Sequence, residues 1–480
     1  MLADPLPEPI AGDGAPGVDA AAVAAVAAHV EAQRDRLLAE LLDLLRIPSV
    51  STDPERVADV RRAAAFMAAA LERAGLAARV HETDRHPIVT AASPLVPGAP
   101  TVLVYGHYDV QPAEPLEAWT TPPFEPAIVD GRILARGASD DKGQVYAHVK
   151  AVEALRELHG RLPLNVRFLV EGEEEIGSPS LPGFLRRHRD ELAADVALVS
   201  DGAMVAPGVP TITYGLRGLA YLSVRVRSAG RDLHSGAYGG GVPNALNALA
   251  TMIATLKDEH GRIAVAGFYD DVVEIDAAER ARLEAVPFDR AAFMADAGVS
   301  ATPGEAGYGL LERLWARPTL DVHGLGGGFV GPGSKTVIPA AGVAKLSCRL
   351  VARQDPRRVV DLVRRHLEGV APEGVTVEVT AEGIAEPALT PLDHDAVRAT
   401  ARALEAVWGR PVVYARTGGS IPVVVELQRI LGAVPVLLDM GLEDDRLHAP
   451  NEKFEVHHYL QGIRASAATL QALAAGAWPR

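Results

Sequence analysis

The sequence has a single cysteine among its 480 residues, and it has no apolar run long enough to cross a membrane. One cysteine cannot form a disulfide within the chain, so a disulfide scaffold is excluded and a cytoplasmic location is expected. Residues 1–20 are rich in Pro, Gly and Ala and lack both a basic start and an apolar core. We therefore expect a flexible tail there rather than a signal peptide, and no membrane as a partner.

Basic residues are in the minority. The chain has 47 Lys and Arg against 62 Asp and Glu, which gives a formal net charge of −15. Nucleic acids and anionic membranes are bound by clustered basic residues, so neither is expected as a partner. The hydrophobic content of 48% is that of a folded protein, which excludes intrinsic disorder. A local cation site remains compatible with this composition.

Two patterns of alternation predict an α/β protein. Before residue 216 and again from Leu389, apolar strand-like segments alternate with helical ones, which is typical of a largely parallel sheet flanked by helices. The strand-like segments include 101–106, 165–170 and 196–200, and the helical ones 60–75, 143–158 and 181–192. Between these parts, apolar and polar residues alternate with period two in predicted strands at 221–228, 344–352 and 375–381. Helices are predicted at 244–258 and 357–367. This pattern of strands and helices predicts a smaller α+β, ferredoxin-like domain over 217–385. This domain is inserted into a catalytic domain that comprises 21–216 and 386–480.

Polar side chains follow three of the predicted strands. His107 and Asp109 come after the first, and they point to the same side of an extended backbone. A histidine that binds metal through one ring nitrogen usually offers the other to a carboxylate, which suits this spacing. Asp201 ends the third strand. Because ligands bind at the carboxyl ends of parallel strands, these residues are candidates for a site.

Two acidic runs lie at the same predicted edge. Asp140 and Asp141 precede a helix, where one of them could cap the free N–H groups while the other faces a metal. The run Glu171-Gly-Glu-Glu-Glu175 is either a solvated loop or a set of carboxylates that a cation neutralises. Imidazole and carboxylate together suit Zn²⁺ or Mn²⁺, and the lack of cysteine ligands argues against a zinc finger.

The motifs of this edge, taken in order, resemble the M20 family of di-zinc metallopeptidases. The likeness is strongest to its dipeptidase branch, which includes carnosine dipeptidases and cytosolic nonspecific dipeptidase. It rests on an ordered set that extends from about Leu41 to the C-terminus: GHYDVQPA (106–113), RGASDDKG (136–143), EGEEEIGS (171–178), SDG (200–202), TYGLRG (213–218), RDLHSGAYGG (231–240), KTVIP (335–339), GGSIP (418–422) and LHAPNEK (447–453).

The resemblance implies two divalent metal ions per subunit, Zn²⁺ in the first place with Mn²⁺ or Co²⁺ as alternatives. Asp140 would bridge them, His107 and Asp201 would complete one metal's ligands, and Glu175 and His448 the other's. Asp109 would orient His107, and Glu174 would be the general base for a metal-bridging hydroxide. The reaction implied is the hydrolysis of dipeptides or related small amides with a free carboxylate.

Further roles implied by the resemblance lie in the inserted domain, which would serve as a lid and a dimerisation domain. His234 would act in the active site of the partner subunit of a homodimer, where it would stabilise the oxyanion. Arg349 and Thr336 in this domain, and Ser420 in the catalytic domain, match positions that hold the substrate. From the strand pattern alone, Arg349 would instead be a solvated residue, while Cys348 has the opposite parity and is expected to be buried.

One position departs from the family pattern and leaves alternatives open. Thr417 stands where the dipeptidase branch usually has Glu, so recognition of a free amino group would be weakened. The alternative is an N-acyl-amino-acid amidohydrolase of the same architecture, of aminoacylase, desuccinylase or carbamoyl type, with an N-acyl amino acid as substrate. A non-catalytic peptide-binding homologue is disfavoured, because the base and all five ligand positions are filled.

Overall fold

The structure, a computed structural model, describes residues 18–419 and 421–476. Most of the predicted tail, and Ser420 among the predicted substrate contacts, lie outside the described residues. Helices within those ranges are α1 (Ala20–Ala32), α2 (Arg34–Leu45), α3 (Val57–Arg73), α4 (Lys142–His159), α5 (Leu181–Arg187), α6 (Arg189–Leu192), α7 (Ser235–Tyr238), α8 (Ala245–Ala254), α9 (Ala277–Glu284), α10 (Arg290–Asp296), α11 (Pro356–Gly369), α12 (Asp395–Trp408), α13 (Pro422–Glu426) and α14 (Val456–Ala474).

The strands form one large sheet, one smaller sheet and three short ribbons. In chain order they are β1 (Ala77–His81), β2 (Ile88–Ala92), β3 (Thr101–His107), β4 (Ala127–Val129), β5 (Arg132–Leu134), β6 (Asn165–Glu171), β7 (Val196–Val199), β8 (Ala203–Met204), β9 (Thr211–Leu216), β10 (Gly218–Arg227), β11 (Leu233–His234), β12 (Thr319–Gly327), β13 (Val337–Ile338), β14 (Ala341–Leu350), β15 (Thr376–Ala385), β16 (Ala388–Leu389), β17 (Val413–Thr417), β18 (Val434–Leu438), β19 (Gly441–Leu442) and β20 (Lys453–Glu455).

The large sheet has the order β1-β2-β6-β3-β7-β18-β9-β16, with β17 also paired to β9. Its centre, β6-β3-β7-β18, is parallel, whereas the flanking pairs β2–β6 and β18–β9 are antiparallel. Helices cover both faces. Val102 and Val104 of β3 pack into one apolar core, and Leu103 and Tyr105 pack into the other. The predicted α/β class with a largely parallel central sheet is confirmed, and its parallel strand ends meet at one edge.

The smaller sheet is antiparallel and has the order β12-β14-β10-β15. With α8 after β10 and α11 after β14, the connectivity is βαββαβ, the ferredoxin-like arrangement that was predicted. The sequence indicated only three of the four strands. The missed strand β12 is rich in glycine and largely exposed, so it shows no apolar alternation. The chain passes between the two sheets after Leu216 and after Ala385, while the division into domains at these points stays a prediction.

One local expectation differs from the structure. The helix expected over 181–192 is two helices, because His188 has the non-helical angles φ −110° and ψ 21°. The run Glu174–Ile176 forms a 3-10 turn. Separately, within the described ranges no helix is both long and apolar enough to cross a lipid bilayer.

Candidate metal centre

Two clusters of potential metal ligands lie at the carboxyl edge of the large sheet, and they share one residue. The first contains His107, Asp140 and Asp201, and the second contains Asp140, Glu175 and His448. Within each cluster one ligand atom from every residue lies within 4.8 Å of the others. These five are the residues predicted as ligands, and the shared one is the predicted bridge. The structure therefore brings them together, although their roles stay a prediction.

Asp140 lies between two histidines, one on each of its carboxylate oxygens. His107 Nε2 is 3.1 Å from Oδ1, and His448 Nε2 is 2.8 Å from Oδ2. Asp201 Oδ1 is 3.8 Å from His107 Nε2, and Glu175 Oε2 is 3.4 Å from His448 Nε2. Two imidazole nitrogens that face carboxylates on either side of a shared carboxylate form a donor set suited to two divalent cations.

Asp109 is buried and holds two parts of the site at once. Its backbone carbonyl O is 3.1 Å from His107 Nδ1, and its carboxylate Oδ1 is 3.4 Å from the same nitrogen. The two carboxylate oxygens also accept hydrogen bonds from the backbone N–H groups of Glu174 and Glu175, at 3.3 and 3.1 Å. A proton on Nδ1 that points to Asp109 leaves the lone pair of Nε2 free for a metal. Asp109 thus orients both the histidine and the acidic turn.

The Asp140–Asp141 loop is fixed by hydrogen bonds to Glu452, which is distant in sequence. Glu452 is fully buried and forms an ion pair with Arg136 at 2.7 Å. Its carboxylate accepts hydrogen bonds from the backbone N–H groups of Gly137, Ser139 and Asp140 at 3.0 to 3.1 Å. Asp141 occupies the N-cap position of α4, yet its side chain makes no capping hydrogen bond. The capping expectation is therefore wrong for Asp141. It accepts the backbone N–H of His107 at 3.0 Å instead.

Gln111 was not predicted from the sequence as part of the site. Its backbone N–H donates to Glu175 Oε1 at 3.1 Å, and its amide Nε2 donates to Oε2 at 2.7 Å. The residue lies inside the GHYDVQPA motif, four positions after His107, while its partner Glu175 lies inside EGEEEIGS. Glu452 similarly lies inside LHAPNEK. In both cases the motif indicated the region but not the contact.

Burial and mutual repulsion shift the acidity of the cluster. Burial raises the pKa of Glu175 to about 8, with the charge of Asp140 adding to it. Burial likewise raises the pKa of Glu174 to about 7, against the attraction of His107. The ion pair with Asp140 raises the pKa of His448 to about 9. Burial disfavours charge on Asp140, but its interactions with the two histidines beside it lower its pKa overall. Bound cations would neutralise this charge and favour the ionised carboxylates.

His107 provides the test of whether these residues fit a metal. Its Nε2 is buried and has no hydrogen-bond partner among the described residues, although carboxylate oxygens lie on two sides. A buried polar atom without a partner is costly unless something binds it. A nitrogen donor fixed in this way, with the ring's other nitrogen directed to Asp109, has the arrangement of a metal-binding histidine. The residues fit the predicted cations.

A further carboxylate at this edge went unpredicted. Asp439 directly follows β18, is 5% exposed, and accepts a hydrogen bond from the Thr213 hydroxyl. Burial raises its pKa to about 8, and the charges of Glu443 and Asp201 add to the effect. The same strand-end argument that selected Asp201 could have found it, since Asp439 closes the apolar segment VPVLLD.

Among the predicted substrate residues that the structure describes, Arg349 lies on the smaller sheet. Arg349 is on β14 and partly exposed, opposite Leu219 of β10, while Cys348 is buried as expected. Burial lowers the pKa of Arg217 to about 10, and the positive charge of Arg349 adds to this effect. Arg217 donates its backbone N–H to the carbonyl of Gly419 at 3.1 Å. Thr417 Oγ1 accepts the N–H of Gly419 at 3.2 Å within the same loop.

His234 and Thr336 lie together on a separate ribbon formed by β11 and β13. His234 pairs with Val337, and the N–H of Ser235 donates to the carbonyl of Thr336 at 3.2 Å. His234 is exposed, and its Nδ1 accepts the N–H of Gly236 at 3.0 Å. In the part of the chain that the structure describes, no hydrogen bond or ion pair joins His234 to the five predicted ligands.

Comparison with known proteins gives a consistent result. The model of peptidase family M20/M25/M40 matches residues 103–472. The human Beta-Ala-His dipeptidase is 33% identical over 92% of this chain and 90% of its own length. A Cys-Gly metallodipeptidase of Schizosaccharomyces pombe is 32% identical over 91% and 95%. The solved structure of an M20 family metallo-carboxypeptidase from Sulfolobus solfataricus is 32% identical, covers 91% of this chain and 99% of its own, and superposes with a TM-score of 0.79.

Proposed function

The chain belongs to peptidase family M20/M25/M40, and from this premise we propose that it is a binuclear metallopeptidase that hydrolyses dipeptides and related small amides with a free carboxylate. The observation that carries the proposal is the pair of ligand clusters that share Asp140. Two-metal hydrolases need two donor sets a short distance apart, with one bridging carboxylate.

The two clusters would hold two divalent ions, for which imidazole and carboxylate donors suggest Zn²⁺, with Mn²⁺ or Co²⁺ as alternatives. When bound, such ions supply a polarised scissile carbonyl and a water of lowered pKa. Glu174 would take the proton of the attacking water on its carboxylate and return it to the leaving amine. Asp109 supports this role, because it holds the backbone N–H of Glu174 as well as His107.

Arg349 would bind the substrate's carboxylate, for which a guanidinium offers paired donors. Ser420 and Thr336 complete this part of the proposal on the strength of their motif positions alone. Arg217, which donates hydrogen bonds to the carbonyls of Gly418 and Gly419, adds a second positive charge. Thr417 favours the alternative function, an N-acyl-amino-acid amidohydrolase. Its hydroxyl is engaged within its own loop, and it offers no carboxylate to a substrate amino group.

A homodimer with His234 acting in the partner's site is a further part of the proposal. Because Nδ1 of His234 accepts a backbone N–H, the neutral ring carries its proton on Nε2, which can donate to an oxyanion. Strand β12 is an edge strand with an exposed apolar side chain at Leu325, and Phe329 and Val330 are exposed just after the strand ends. Such an edge is a template for pairing with a second copy of the chain. A cytoplasmic location also stays a proposal, which cell fractionation tests.

Metal removal followed by a substrate panel tests the main proposal. Dialysis of the purified chain against a chelator should lower dipeptide hydrolysis by about 100-fold or more, and Zn²⁺, Mn²⁺ or Co²⁺ should restore it. The panel contains dipeptides, N-acetyl, N-succinyl and N-carbamoyl amino acids, and dipeptides with an amidated C-terminus as the control for carboxylate recognition. A chelator-resistant rate would contradict metal catalysis. Cleavage of N-acyl amino acids but not of dipeptides would select the alternative.

A further inference from the structure

The segment between α8 and β12 of the smaller sheet is fixed internally by a buried arginine. Arg317 donates to both carboxylate oxygens of Glu305, at 2.8 and 2.7 Å, and to Glu274 at 3.2 Å. Its guanidinium lies 4.1 Å from the centroid of the Tyr308 ring. A bidentate pair of this kind fixes geometry as well as adding binding energy. The segment therefore presents its surface residues in defined positions.

One of those residues, Glu279 on α9, reaches the large sheet. Its Oε1 accepts a hydrogen bond from the Tyr214 hydroxyl at 2.7 Å and forms an ion pair with the guanidinium of Arg416. The side chains of Arg416 and Glu279 are only 12% and 13% exposed, so solvent and salt screen this pair less than a surface pair. Arg416 also lies 5.1 Å from the ring centroid of Tyr214. Glu279 thus joins the inserted segment to two paired strands, β9 and β17.

Strand β17 ends at the loop Thr417–Gly419, which directly precedes the predicted substrate residue Ser420 in the sequence. Arg416 is followed by Thr417, Gly418 and Gly419. The Nε of Arg217 donates to the carbonyl of Gly418 at 3.3 Å, and its backbone N–H donates to that of Gly419. A Cβ added at Gly418 would lie 2.7 Å from Arg217 Nη2 and 3.4 Å from the carbonyl of Leu314, which belongs to the inserted segment. The segment therefore lies close to this loop at Leu314, and through Glu279 it contacts Arg416, the residue before the loop.

We propose that Glu279 is a positioning residue for substrate binding. By holding Tyr214 and Arg416 together, it fixes the loop Thr417–Gly419 and so sets the affinity for the substrate. It does not touch the metal ligands, and its effect belongs in KM rather than in kcat. The proposal deepens the proposed function and rests on it for the identity of the substrate, whereas the fixing of the loop can be measured without any substrate.

The experiment uses the metal-loaded full chain and the variant Glu279→Gln, with Glu284→Gln as its matched control. Glu284 lies on the same helix, is exposed and loses the same charge. Hydrogen–deuterium exchange is followed in peptides that contain Gly419 and Arg217, whose backbone groups report the fixed loop. In Glu279→Gln these peptides should exchange about tenfold faster than in the control, and KM should rise about tenfold with kcat within about twofold. Metal content should be unchanged.

Each outcome decides one of the two proposals. Exchange that does not differ between Glu279→Gln and Glu284→Gln overturns the role of Glu279, whatever the enzyme cleaves. Faster exchange without a change in KM also overturns it, as does a loss confined to kcat. A wild-type chain that cleaves nothing in the panel contradicts the proposed function, while faster exchange in the variant still supports the fixing of the loop. If Glu279→Gln fails to fold, Tyr214→Phe, which removes only the hydroxyl donor, should shift exchange and KM in the same direction.

Discussion

At the scale of single residues, the site depends on carboxylates that do different work although they are neighbours in sequence. Glu173 accepts hydrogen bonds from Thr83, from the backbone of His86 and from Ser180, so its role is to tie the acidic turn to the body of the protein. Glu175 is held by Gln111 beside His448. Glu174 lies between them on the same turn, and burial raises its pKa. A sequence of four glutamates does not by itself distinguish these roles.

The variant Glu174→Gln tests the role of the base. Because glutamine has the same shape but cannot accept the proton of the attacking water, kcat should fall by about 10²- to 10⁴-fold while KM and metal content stay close to those of the wild type. Steady-state kinetics and metal analysis on the same preparation measure this. Glu173→Gln is the contrasting variant, since it should lower thermal stability and leave kcat largely intact. Near-normal kcat in Glu174→Gln would remove Glu174 from the mechanism.

Some residues of the site could be predicted from the sequence, and others could not. His107, Asp140, Glu175 and Asp201 follow strands or open a helix, so strand-end reasoning and motif order brought them together. Glu452, in contrast, is separated from the loop it holds by more than 300 positions. No pattern along the chain shows that its buried carboxylate accepts three backbone N–H groups. Asp439 is a different case, because it follows an apolar strand as Asp201 does, and the strand-end argument therefore applies to it as well.

At the scale of elements, the metal centre requires close packing between β3 and the start of α4. Gly106 permits it: a Cβ at this position would lie 2.5 Å from Val145 Cγ2 and 2.6 Å from Asp141 Oδ2. Asp141 in turn accepts the N–H of His107, so the strand and the loop before the helix are fixed to each other. The sequence predicted both elements but not this contact. Periodicity locates a strand and a helix, and says nothing of the distance between them.

The variant Gly106→Ala should therefore separate His107 from the Asp140–Asp141 loop. We expect it to lower the free energy of unfolding by about 1–3 kcal/mol, as overpacking does, and to weaken metal binding. Gly230→Ala is the matched control, because a Cβ there meets no atom within 4 Å, and its effect should stay within about 0.5 kcal/mol. Denaturation of both variants and titration of the metal-free proteins measure the two effects. Unchanged metal affinity in Gly106→Ala would show that the close contact does not set the geometry of the ligands.

At the scale of the whole molecule, the predicted metal ligands and the other predicted site residues lie in different parts of the fold. The large sheet carries the five predicted ligands and the base, while Arg349, Thr336 and His234 lie on the smaller sheet or on the ribbon beside it. The change in strand pattern predicted the second, smaller layer, whereas the roles of these residues are what the family resemblance implies. The sequence could not predict how the segment 257–318 reaches back to the large sheet through Glu279, because a single buried ion pair between distant elements leaves no periodic signal.

Whether one chain is sufficient for catalysis is decided by His234, which the structure leaves exposed and without contact to the predicted ligands in the described part of the chain. If it acts in the partner's site, His234→Ala and Glu174→Ala are each inactive, but a mixed dimer contains one site with both residues intact. After subunits exchange freely, half of the dimers in an equal mixture are mixed, so activity should recover to about one quarter of the wild type. Dimers labelled with two mass tags confirm exchange, and each variant mixed with itself is the control. Exchange without recovery would place His234 within its own chain's site, because no mixed dimer then contains a complete site, whereas an active His234→Ala homodimer would place His234 outside catalysis.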